Sequence, residues 1–134
     1  MKEIKLSETY TDQKEIESIS QVMKSGWLTS GKITKKFEEN VSTYLKSKHV
    51  IAANSCTNGI LATLKALDLK KGDEIITSPY TFISTINTLY QLELKIVFAD
   101  ISMNDFNIDF DELKKKNYQK NKMYFNHSLW RQSF

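Results

Sequence analysis

Apolar residues along this chain alternate between helical and strand-like spacing, and the switch points mark out the elements. Ile16, Ile19, Val22 and Met23 recur at helical spacing over about 12–24, and Gly26 stops that run. A polar, glycine-flanked loop follows over 25–31. A second amphipathic helix over about 34–46 turns Phe37, Val41, Tyr44 and Leu45 inward. The short β-branched run at 49–53 reads as a buried strand. Helical spacing returns with Ile60, Leu61, Leu64 and Leu67, then a turn at 71–73 leads into a strand over 74–77. A helix over 81–91, a third buried strand over 95–99 and a last helix capped by Asp109 complete the series, with Glu112 making a capping-box-like pair.

That order predicts an α/β fold with a largely parallel sheet and flanking helices. Ligands of such sheets sit beyond the carboxyl ends of the strands. Ser55 and Phe82 both follow strand ends in this reading, so they can converge there.

Composition narrows the picture. With 134 residues, 40% hydrophobic and 26% charged, the chain has the make-up of one ordinary soluble domain. A net charge of +3 is too mild to imply nucleic acid, and Lys114-Lys115-Lys116 reads as a solvated helix end. One cysteine excludes an internal disulfide and leaves no zinc-type ligand cluster, so no metal site is expected. No segment has signal-peptide or membrane-spanning character, which makes the cytoplasm the default location.

Two stretches carry chemistry. Asn54-Ser55-Cys56-Thr57-Asn58-Gly59 opens a helix, where backbone N–H groups and the helix dipole favour a phosphate. Ser55 and Thr57 could add their hydroxyls; the alternative is that they only cap the helix. Ser78-Pro79-Tyr80-Thr81-Phe82 leaves a strand and presents an aromatic ring, which is either a stacking platform or core. Cys56 has no base beside it in sequence and reads as packing rather than as a nucleophile. His49 reads as structural. Trp27 either lines a cleft or buries against the preceding helix. No G-x-G-x-x-G follows a strand, and no Gly-Lys-Ser/Thr is present, so nicotinamide-dinucleotide and P-loop readings fail.

Four motifs in order resemble the DegT/DnrJ/EryC1/StrS sugar aminotransferases. They are Gly-Trp-Leu-Thr-Ser-Gly-Lys-Ile-Thr-Lys-Lys-Phe-Glu-Glu, Ser-Cys-Thr-Asn-Gly-Ile-Leu-Ala, Gly-Asp-Glu-Ile-Ile-Thr-Ser-Pro-Tyr-Thr-Phe-Ile-Ser-Thr and Val-Phe-Ala-Asp-Ile. The resemblance implies the N-terminal portion of a fold type I PLP-dependent transferase, incomplete here. It implies that Ser55, Cys56 and Thr57 hold the phosphate of pyridoxal 5'-phosphate (PLP) and that Phe82 stacks on its ring. Thr29 and Gly31 would border a nucleotide-sugar pocket. Cys56 departs from the glycine or alanine usual at its position, and Asn58 from the alanine often found at its own. The implied reaction moves an amino group, commonly from glutamate, to a keto group of a nucleotide-linked sugar, in a homodimer serving polysaccharide synthesis. The Schiff-base lysine and the pyridinium aspartate have no counterpart in this chain. Asp100 and Asp105 do not match the latter motif, so no catalytic residue is assigned and the chain alone is expected to be inactive. Alternatives are a sugar dehydratase of the same family, one chain of a split enzyme, or a non-catalytic binding fragment.

The resemblance assigns 1–122 to part of the PLP-binding large domain and leaves 123–134 as a tail without strand periodicity. Codons can be chosen for 123–133 that, read one nucleotide later, spell Cys-Ile-Ser-Ile-Ile-His-Tyr-Gly-Gly-Lys. That is the apolar strand and glycine turn the resemblance leads one to expect there, so a frameshift after Lys122 is the expected origin of the tail. Gene sequencing decides it.

Overall fold

The computed structural model describes residues 7–116 and 123–125. It divides into two compact units, Met1–Ala52 and Ala53–Phe134.

The first unit holds α1 (Gln13–Ser25) and α2 (Lys32–Leu45). Asp12 starts α1 by accepting the Lys14 N–H at 2.7 Å, while the Glu15 carboxylate accepts the Asp12 N–H at 2.7 Å, a full capping box. Gly26 ends the helix at φ +70°, a left-handed turn that suits glycine. Both helices carry the expected apolar stripes, yet neither buries a single residue. Phe37, Tyr44 and Leu45 were expected to face inward and are exposed, and Val41 is only half-buried. Two helices and a loop are too little chain to enclose an apolar face.

The run at 49–53 also departs from expectation. It is irregular rather than a strand, and Ile51 is 86% exposed. β-Branched residues favour strands, but a strand exists only where a neighbour pairs with it. Among the described residues none does; the Ala52 N–H goes instead to the Glu38 carboxylate at 2.8 Å.

The second unit carries α3 (Cys56–Ala66), β1 (Glu74–Thr77), α4 (Ile83–Gln91), β2 (Lys95–Phe98), α5 (Phe110–Lys115) and β3 (Met123–Phe125). The three strands form one parallel sheet in the order β2-β1-β3. Alternation along β1 sends Ile75 and Ile76 to opposite faces. Ile75 joins Ile60, Leu64, Leu89 and Leu94, beneath α3 and α4. Ile76 joins Ala99, Ile108 and Leu113 on the other side. The sheet is therefore covered on both faces, as parallel sheets require. The fully buried Leu64, Ile75, Ile76 and Leu89 side chains each contribute about 1.5–3 kcal/mol from apolar burial.

Two further expectations change. β2 is half-buried rather than buried, because its only described pairing is to β1 and it stands at the sheet edge. β3 lies in the segment read as lacking a strand pattern; Ile75, Ile76 and Thr77 pair with Met123, Tyr124 and Phe125. Three residues are too few to display a period of two, and the open edge of β1 supplies the partner that pattern reading cannot see. Residues 126–134 of the expected tail lie outside the described residues.

Candidate functional site

Topology brings two helix N-termini to one end of the second unit. α3 reaches β1 through 67–73, and α4 leaves β1 through 78–82. Each short link reverses the chain, and α3 packs beside α4. Both helices therefore begin at the carboxyl end of β1, where ligands of open parallel sheets bind.

At the start of α3, Ser55 is the N-cap, and its Oγ accepts the Asn58 N–H at 3.2 Å. The Gly59 N–H is taken by the Ser55 carbonyl at 3.0 Å. The amides of Cys56 and Thr57 have no acceptor among the described residues, as expected of a first helical turn. The Thr57 hydroxyl makes no bond there either, and the proton of the Ser55 hydroxyl remains free to donate. Ser55, Cys56 and Thr57 are all exposed. Capping and anion binding are thus compatible at Ser55, because its oxygen accepts one bond while its hydrogen can donate another. An Asn58 to Asn54 side-chain bond of 2.9 Å braces the turn from outside. Sequence reasoning missed that brace, although its signal, two asparagines four apart across a helix start, is plain.

Phe82 holds the N-cap position of α4, with φ −70° and ψ 141° and no side-chain cap. The residue is 70% exposed, so it is not core. The tilted Tyr80–Phe106 ring pair, 6.0 Å between centroids, lies in the same unit and does not include it.

Thr29 and Gly31 belong to the first unit, where they line an open groove of about 640 Å³ with Val22, Trp27, Leu28 and Ile33. Trp27 does not bury against α1; it is exposed and bends back so that its Nε1 donates to the Ser30 carbonyl at 3.1 Å. A Cβ at residue 31 would stand 2.5 Å from that nitrogen, so any side chain there requires the indole to move.

Shifted ionisable groups sit elsewhere. Asp12 and Asp105 titrate low because they accept hydrogen bonds, the first chiefly from the Lys14 N–H and the second chiefly from the Asn107 side chain. Asp68 and Asp111 titrate low beside Lys70 and Lys114. His49 is exposed, and no cluster of groups suited to a metal occurs among the described residues. The first turn of α3 therefore carries exposed donors and the N-cap of α4 an exposed aromatic residue, and none of the shifted ionisable groups among the described residues belongs to either.

Residues 9–125 match the DegT/DnrJ/EryC1/StrS aminotransferase family. The chain belongs to this family. Among curated family relatives, it is 42% identical over 97 residues to the spore coat polysaccharide biosynthesis protein SpsC of Bacillus subtilis, covering 72% of this chain and 25% of that one. It is 32% identical over 98 residues to the UDP-4-amino-4-deoxy-L-arabinose–oxoglutarate aminotransferase of Shewanella sediminis, covering 73% and 25%. Among solved structures, the E. coli GDP-4-keto-6-deoxy-D-mannose-3-dehydratase with bound hydrated PLP superposes with a TM-score of 0.87 at 30% identity, covering 90% of this chain and 33% of that one. This member of the DegT/DnrJ/EryC1/StrS family thus spans about a quarter to a third of the relatives it matches.

Proposed function

We propose that this chain contributes the phosphate cradle and one ring-stacking face of a PLP-dependent enzyme acting on nucleotide-linked sugars, by amino transfer from glutamate. The convergence of the α3 and α4 N-termini at the carboxyl end of β1 carries the proposal.

The donor set suits the group. The free amides of Cys56 and Thr57, with the hydroxyls of Ser55 and Thr57, offer four donors to a phosphate dianion at the positive end of an 11-residue helix. The small Cys56 side chain leaves the approach open. Phe82 offers an unobstructed face to a flat ring. Bound PLP supplies an electron sink for the carbon losing its proton. These residues bind and orient it; none of them moves a proton in the reaction. The groove at Thr29 and Gly31 is proposed to border the sugar nucleotide, and a homodimer is proposed as the working assembly.

Pyridoxine 5'-phosphate is the informative probe, since it lacks the aldehyde through which surface lysines would capture PLP itself. Calorimetry is expected to register binding to the 134-residue chain. Phe82→Ala should weaken it about tenfold, and Thr57→Val, which keeps shape and removes one donor, about fivefold. Unchanged affinity in both variants would remove the proposal. The 134 residues by themselves are expected to show no amino transfer from glutamate, because no lysine here matches the Schiff-base motif.

A dehydratase is the second reading, favoured by the close superposition on the E. coli 3-dehydratase. The position that separates the two, lysine in one and histidine in the other, has no counterpart among these residues. Product analysis of an assembly completed by a chain bearing the later motifs distinguishes them: an amino sugar, or a sugar that has lost water.

A further inference from the structure

Phe82 presents a problem of rigidity. A stacking platform must hold its angle, yet a residue 70% exposed has little side-chain packing to hold its ring. The backbone fixes the direction in which the ring leaves the chain, and two bonds flank that backbone. The Thr85 N–H donates to the Phe82 carbonyl at 3.1 Å. The Thr85 hydroxyl lies 3.2 Å from the Thr81 hydroxyl, tying the residue before Phe82 to the first turn after it. Thr85 itself is 1% exposed, so its side chain is locked by its surroundings. Its carbonyl accepts the Thr88 hydroxyl at 3.0 Å, which anchors it one turn deeper. The loop ahead is pinned as well, with the Tyr80 N–H on Ser78 Oγ and the Thr81 N–H on the Pro79 carbonyl, both at 3.0 Å.

The geometry points to Thr85 as the positioning residue that fixes the Phe82 platform. This inference rests on the proposed role of Phe82. Thr85 touches no ligand; its buried hydroxyl closes a brace across the aromatic residue and fixes the direction in which the ring leaves the backbone. The phosphate donors belong to α3 and are untouched by this brace, so ring and phosphate signals of one ligand should separate.

The test is NMR of pyridoxine 5'-phosphate bound to the full chain. Stacking on Phe82 should move the pyridine protons upfield in the wild type, and Phe82→Ala should abolish that shift. Thr85→Val keeps the volume and removes the hydroxyl. It is expected to lose at least half of the upfield shift and weaken binding about fivefold, with the phosphorus resonance of the complex unchanged. Thr85→Ser restores the hydroxyl and should restore the shift. Thr81→Val removes the same bond from the half-buried side and should reproduce Thr85→Val, including where the latter does not fold. A full upfield shift in both valine variants overturns the positioning role alone. Loss of the phosphorus signature together with the ring shift overturns it too, since the effect would then be general. Wild-type binding without any upfield shift removes the platform itself, and the inference with it.

Discussion

At the scale of single residues, Gly31 makes the sharpest demand. Its φ is extended and open to any amino acid, so only the Trp27 indole across the loop forbids a side chain. Gly31→Ala should push the indole off the Ser30 carbonyl, shift Trp27 emission in a Trp130→Phe background, and cost about 1 kcal/mol for the lost bond. Unaltered emission would show that the loop accommodates the methyl. Such a constraint is not legible in the sequence, because it depends on which way one indole folds. The Ser55 alternatives, cap or phosphate donor, were posed as rivals in the sequence. The structure shows the cap occupied while the donors of the same turn remain free.

Elements were read best where their signals are local. The strand at 74–77 and the stop at Gly26 follow from patterns within a few residues, and both stand where they were expected. The Asp12 cap is local too, and it carries a pH signature. The Lys14 N–H bond holds the Asp12 carboxyl below its ordinary titration range. The ionised form is therefore favoured by the folded helix. Its contribution is complete above the carboxylate's unfolded pKa and disappears as pH falls through the lower folded value. Acid should thus fray α1, and Asp12→Asn, also a good N-cap, should flatten that acid limb of helicity by circular dichroism. An identical acid limb in the variant would place the sensitivity elsewhere. The run at 49–53, the burial of β2 and the existence of β3 depart from the sequence pattern for a common reason. Pairing and burial of a strand are set by its neighbours, and apolarity alone does not name them.

At the scale of the whole molecule, the two units differ in kind. The second closes apolar layers on both faces of its sheet; the first leaves Ile16, Ile19, Met23 and Phe37 more than half exposed. Leu64→Ala should therefore cost about 2–5 kcal/mol in chemical denaturation, whereas Ile16→Ala should change stability by less than about 0.5 kcal/mol. Equal costs would contradict this division. The α/β class was legible because strand–helix order dictates it. The separation into two units was not, since helical periodicity says which face is apolar and nothing about what covers it.

The parallel pairing of β1 with β3 has a consequence for synthesis on the ribosome. β1 and its first neighbour β2 emerge early, but the second neighbour arrives only with Met123. During that interval one side of an apolar strand stands open in the growing polypeptide, a template for wrong partners. Any delay between the emergence of β1 from the ribosome and that of Met123–Phe125 would lengthen the exposure, and chaperone capture should peak in that interval.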